Sequence, residues 1–317
     1  MHKYIVQLII LFVISSCDQN KNKLVDVSSI EVEVEIDRFD QKFYEANSSN
    51  LNELKSEYTY LFPVQNHDSV WLNKIRNEQE IYQKVTKIFK DFSVEKNQLK
   101  QLFKHVKYYH PSFKPPKAIT LITNLDYQNK VILADSLLFI SLDLYLGEQD
   151  EIYNDFPKYL SKNYRKSHLI VDVAEEISNQ IVIKERNRQF LSSMINEGKK
   201  MFLIDSYLPK KEDFEKIGYT NEELEWVKLN EAMIWKYFIE NKLLFSTDAG
   251  LYNRFIANAP FSKFYIDIDK QSPGKIGVYF GWKIVKAYMS NNNVTLQQLL
   301  QTNAEEIFKK SKFKPKK

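Results

Sequence analysis

The stretch Ala174-Glu175-Glu176-Ile177-Ser178 has the spacing on which metal-assisted hydrolysis can be built. Residues four apart share a helix face, so histidines at its two ends could hold one zinc ion. A Glu just after the first histidine would then activate the bound water. Glu175 stands at the position of that base. Ala174 and Ser178 stand at the ligand positions, where Ala offers no donor and Ser only a neutral hydroxyl. Glu197, in Ile195-Asn196-Glu197-Gly198, follows Ser178 by nineteen residues, where a carboxylate on a second helix would complete such a site. Ala174, Glu175, Ser178 and Glu197 therefore read as degenerate metal-site positions, with no metal and no catalytic residue assigned. Two glutamates without histidine favour no particular transition metal, and a lone carboxylate does not lower the pKa of water towards neutrality. Each of the two glutamates, read singly, is an ordinary solvated helix carboxylate.

No other residue set supplies a reaction. His105 and His110 are five apart and point to different sides of any helix, His67 stands alone, and His168 precedes the Glu175 stretch without replacing its missing ligands. Each reads as a surface or capping histidine. There is no G-x-S-x-G elbow for a serine hydrolase. Seven glycines in the whole chain leave little room for a glycine-rich phosphate loop. No zinc-finger spacing or aromatic RNA-binding signature is present, so nucleic acid is not an expected partner. No cofactor is expected.

The elements that must position these residues follow from periodicity. Glu31-Val32-Glu33-Val34-Glu35-Ile36 alternates as a half-buried strand. From Leu51 to Phe103 apolar residues recur at helical steps, until Pro111, Pro115 and Pro116 end the pattern. Strands are expected at Ala118 to Thr123, Val131 to Leu133 and Leu137 to Leu144, with Gly147 closing the β region. Ser167 reads as the N-cap of a helix to about Val182, which carries Glu175. A second helix spans about Phe190 to Tyr207 and carries Glu197. A third follows Thr220, with Glu223 placed for a capping box. Phe264 to Ile268 reads as a short strand. Gly274, Gly277 and Gly281 lead into a helix from Trp282 to Met289, and Leu296 to Phe308 closes the chain. Without a repeat or low-complexity linker, this is an α+β protein: a mainly helical single domain with a small mixed sheet.

The N-terminus carries a separate message. An apolar run from Tyr4 to Ile14 leads into Ile14-Ser15-Ser16-Cys17, and Cys17 is the only cysteine. The run is too short for a ~30 Å hydrocarbon core and reads as a cleaved signal. Residues 1–16 are the expected lipoprotein signal peptide, 17–26 a lipidated polar tether, and 27–317 the folded domain. A diacylglyceryl group on Cys17 would hold the chain stably on a membrane of the cell envelope, inner or outer, because two acyl chains anchor where one does not. With Cys17 modified, no disulfide or thiolate metal site is possible. The net charge of +4 owes much to Lys309, Lys310, Lys312, Lys314, Lys316 and Lys317, which read as a solvated basic end.

Two resemblances bear on function. The order of a β region, the Glu175 helix, Glu197 and the Gly274 to Gly277 helix start resembles the gluzincin-type HExxH metallopeptidases. That resemblance implies a zincin-like fold, degenerate here at the metal site. Over nearly its full length the chain is similar to the gliding motility lipoprotein GldB family of Bacteroidetes. The matching stretches are Val34 to Asp40, Val106 to Tyr109, Ala134 to Leu137, Asp172 to Glu175, Ala259 to Tyr265, Ser272 to Gly277 and Glu305 to Ser311. This resemblance implies an envelope lipoprotein required for gliding over surfaces, acting with other gliding and secretion components. It carries no catalytic residues. The expected function is that of a non-catalytic binding or assembly component. The alternative is a metal-dependent envelope hydrolase with a metal site not visible in the sequence.

Overall fold

The computed structural model describes residues 25–266 and 269–316. The signal stretch 1–16, Cys17 and the tether as far as Leu24 lie outside the described residues, as do Asp267 and Ile268. The rest is mainly helical around a small mixed sheet. Its strands are β1 (Ile36–Asp37), β2 (Lys117–Leu121), β3 (Val131–Ala134) and β4 (Leu137–Ser141). They lie in the order β1-β2-β4-β3, with β1, β2 and β4 parallel and β3 antiparallel to β4 at one edge.

Before the sheet come α1 (Phe39–Tyr44), α2 (Leu51–Glu57), α3 (Asp68–Asn77), α4 (Gln79–Ile88) and α5 (Ser93–Tyr109). After it come α6 (Lys158–Ser161), α7 (Leu169–Ile181), α8 (Phe190–Tyr207), α9 (Asp213–Ile217), α10 (Asn221–Leu229), α11 (Glu231–Glu240) and α12 (Gly250–Phe255). The chain closes with α13 (Ile276–Asn291), α14 (Leu296–Gln301) and α15 (Ala304–Ser311). One hydrophobic cluster runs from Val32 to Ile307, so sheet and helices share a core.

The centre of the helical part is the crossing of α8 and α13. It depends on two glycines. A Cβ on Gly281 would sit 1.8 Å from the Met194 carbonyl oxygen, and one on Gly198 would sit 2.3 Å from the Gly281 carbonyl. Backbones meet here without side chains between them. Gly277 and Gly281 thus lie inside a helix that begins at Ile276, not in a lead-in to one beginning at Trp282.

Other expectations need correction. Val32 and Val34 are buried and their glutamate neighbours exposed, as alternation demands, but only Ile36 and Asp37 enter the ladder. Ser167 caps nothing: it is exposed in a 3-10 turn from Lys166 to His168, and α7 starts at Leu169 without a side-chain cap. The Thr220–Glu223 capping box is formed, but its helix stops at Asn230 before α11 begins. Phe264 to Ile266 is not a strand. Asp269 accepts from the amides of Phe264 and Tyr265, and Tyr265 is left-handed at φ 62°, which no strand tolerates.

Candidate functional site

The expected meeting of the Glu175 and Glu197 helices is observed. Helices α7 and α8 pack side by side, and Glu175 and Glu197 both line a cleft of about 400 Å³. Its other walls are the start of β3 with Lys130 and Val131, the end of α9 at Ile217 and Gly218, Tyr252 of α12 with Ile256 just beyond it, and Lys275 and Val278 at the start of α13.

The face that α7 turns to the cleft differs from the one the metal-helix spacing implies. His168, Asp172, Glu175, Glu176 and Asn179 line the cavity, whereas Ala174 and Ser178 are fully buried on the opposite side. Position 174 faces the core because the apolar stripe Ile170, Val173, Ala174 and Ile177 is what packs inward. Ser178 satisfies its hydroxyl locally, donating to the Ala174 carbonyl at 2.7 Å. Those two positions are therefore not cleft positions in this fold. Among the described residues, no three His, Cys, Asp or Glu side chains converge to hold a metal ion.

What occupies the middle of the cleft is a polar cluster that the spacing of glutamates does not reveal. Asp172, 6% exposed, accepts from the Lys130 ammonium at 2.7 Å and from the Tyr145 hydroxyl at 2.8 Å. Burial pushes its carboxyl up, but Lys130 and His168 together with these hydrogen bonds more than offset that, and it lies below the usual carboxylate range. Burial pushes the Tyr145 hydroxyl well above its usual range, and the Asp172 charge adds to this. His168 sits one turn before Asp172, with Nε2 3.6 Å from Asp172 Oδ1. The residue read as a surface or capping histidine is in fact 4% exposed. A signal for it existed, since His168 and Asp172 are four apart and so share a helix face.

Burial lowers His168 to about 3, against a partial upward pull from Asp172. The imidazole is neutral when folded and takes up a proton near pH 6.5 when unfolded. Below pH 6.5 the unfolded chain therefore binds the extra proton, and stability falls as pH falls towards 3, by up to about 1.4 kcal/mol per pH unit. Urea unfolding at pH 7.5 and pH 5 should show this loss, and His168→Gln should reduce the difference between the two pH values. An unchanged difference in the variant would assign the acid sensitivity elsewhere.

The cleft also borders β3, the edge strand of the sheet. The Ser141 amide donates to the Lys130 carbonyl, which sets the phase of the β3–β4 ladder. In an antiparallel pair such bonded positions alternate, so Val131 and Leu133 direct their amides and carbonyls away from β4. The Leu133 carbonyl accepts from the Gln180 amide at the end of α7. The edge at Val131 is left open beside the cleft.

No helix among the described residues is long and apolar enough to cross a membrane. No curated protein and no solved structure matches the chain. The family model described as gliding motility protein GldB matches residues 20–315, which takes in all but the last residue of the described structure. By that match the chain belongs to the GldB gliding motility family.

Proposed function

We propose that this protein is a lipid-anchored envelope component of gliding motility that binds rather than catalyses. Its cleft holds an extended segment of another gliding or secretion component by adding it as a strand to β3. The observation that carries this reading is the open edge at Val131 beside a cleft walled by α7 and α8. The inward turn of Ala174 and Ser178 supports a cleft without zincin-type metal chemistry. The family match supports the process, and the position of Cys17 supports the anchor. A second reading, a metal-dependent envelope hydrolase, is favoured by one fact: Glu175, Glu176, Glu197 and His168 share the same cleft.

Strains carrying single substitutions separate these readings. Val131→Pro removes an amide that the β3–β4 ladder does not use, so the sheet should survive while strand addition fails. Gliding should be lost with normal protein level. Glu175→Gln and Glu197→Gln strains should glide, and purified wild-type protein should hold no stoichiometric zinc. One zinc per chain, with loss of gliding in both glutamine strains, would decide for the hydrolase. Cys17→Ala should shift the protein out of the membrane fraction. Its retention there would remove the anchor from the reading.

A further inference from the structure

The two ends of the described chain meet the same stretch of α13. Val25, the first described residue, lines a cavity of about 690 Å³ together with Pro209 and Lys210 after α8 and with Lys286 and Met289 of α13. Lys283, one turn before Lys286, is within range of the Lys316 charge near the other end. Cys17 is eight residues from Val25, and eight residues span at most about 28 Å. A domain of this length is roughly 50 Å across. An acyl anchor on Cys17 therefore turns the Val25 side towards the bilayer, and Lys316 with it.

The basic end, read from the sequence as solvated, is held against the fold. Asn291 and Asn292 donate their side-chain amides to the Ser311 and Lys310 carbonyls at 2.6 and 3.1 Å. The Phe313 ring packs on Trp235 and Phe280, with centroids 5.2 and 6.2 Å away. The Lys316 amide donates to Glu231 at 2.9 Å. Exposure alternates along this strip: Lys312, Lys314 and Lys316 are exposed, Phe313 and Pro315 half-buried. Three ammoniums thus project from backbone that is already ordered, so meeting a surface costs little further entropy.

Their charge is not cancelled nearby. Lys310 is paired with Glu306 at 2.6 Å, and Lys309 follows Glu305 by one helical turn. Lys216 and Lys286 share Asp205 and Asp213, Lys211 has Glu215, and Lys210 has Glu212 on the same cavity wall. Glu231 is 1% exposed, accepts from the Tyr279 hydroxyl at 2.9 Å, and has Lys283 within range. Among the described residues, Lys312, Lys314 and Lys316 are in no ion pair. With the Phe313 ring turned inward, the strip offers a partner charge alone, which is the chemistry of a headgroup layer rather than of a protein interface core.

We propose that the strip from Lys312 to Lys316 rests on anionic phospholipid headgroups and fixes how the anchored domain stands on its membrane. This rests on the Cys17 anchor of the reading above and adds to it an orientation and a lipid preference. Each lysine close to an anionic surface contributes about five-fold in partition, so three give on the order of a hundred-fold. The contribution fades in high salt, where the surface charge is screened.

The test uses the full chain, processed and lipidated, in vesicles of phosphatidylcholine alone or mixed with phosphatidylglycerol. A water-soluble acetylating reagent is applied briefly, and mass spectrometry reads each lysine. With phosphatidylglycerol present, Lys312, Lys314 and Lys316 should react at least about five-fold more slowly than on phosphatidylcholine alone, and high salt should remove the difference. Lys87 of α4 is the internal reference and should react alike throughout. Equal rates at the three lysines on both vesicles, with the protein floating on each, overturn the inference and leave the anchor standing. Protection in whole cells that anionic vesicles do not reproduce overturns it as well, assigning the strip to an acidic protein. Protein that floats with neither vesicle overturns the anchor and the inference together.

Discussion

Gly281→Ala is expected to destabilise the protein by about 3 kcal/mol or more. Helix propensity alone predicts the opposite sign, since alanine is better than glycine in a helix interior by about 1 kcal/mol. The close approach decides between them. The new methyl would lie 1.8 Å from the Met194 carbonyl oxygen, a backbone atom that no rotamer change can move away. Helices α8 and α13 would have to part, opening the core around them. Gly198→Ala meets the same contact from the other side and should behave alike, and the double variant should cost less than the sum of the singles. For a domain of this size the melting temperature should drop by roughly 5 °C or more. Gly250→Ala, which would meet only the Asp248 carboxylate at 3.1 Å, is the control and should be nearly silent. A Gly281→Ala variant that melts like wild type would mean the helices are not this close.

Asp172→Ala should be the most damaging single change in the cleft, at about 3 kcal/mol. It removes the acceptor of the fully buried Tyr145 hydroxyl and the partner of Lys130. The Tyr145 loss dominates, because the Lys130 side chain is 28% exposed and can turn its ammonium to water. Combining Asp172→Ala with Tyr145→Phe should therefore recover part of the loss, since the orphaned hydroxyl is then gone. Chemical denaturation of the single and double variants measures this directly. No recovery in the double variant would place the cost with Lys130 or with packing instead.

Much of this architecture is legible in the sequence where local chemistry decides. The ends of α8 at Phe190 and Tyr207, the Thr220–Glu223 box and the stop of α5 before Pro111 all follow from residue types. The hairpin of β3 and β4 is also visible, with Asp135 left-handed in its turn. Other features are set by partners far along the chain. The alternation at Glu31 to Ile36 is real, yet a strand needs a neighbour, and only two residues find one. Gly281 looks like a helix breaker until α8 arrives with Met194 and Gly198 against it, and Gly277 until Phe255 and Ile256 close on it. In the cleft, Glu175 and Glu197 are brought together as their spacing implies, but Ala174 and Ser178 are not. A four-residue step identifies a face without saying which way the packed helix turns it. Lys130, Asp172 and Tyr145 come from three separate elements, so no local spacing announces their cluster.

The bond from Gln180 to the Leu133 carbonyl bears on how copies of the protein coexist. Under the proposed anchor, molecules are confined to a membrane plane, where encounters between identical exposed edges are frequent. Two open β3 edges meeting there would pair with each other into a closed dimer and block both clefts. With one of the outward carbonyls already engaged, self-pairing must break an internal bond before it forms a new one. A ligand that brings its own favourable side chains can meet that cost, while a second β3, whose outward-facing side chains on this strand are Ile132 and Ala134, has no such compensation. The side chain of a single glutamine thus acts as a guard against mutual blocking of neighbouring molecules while the Val131 end stays receptive.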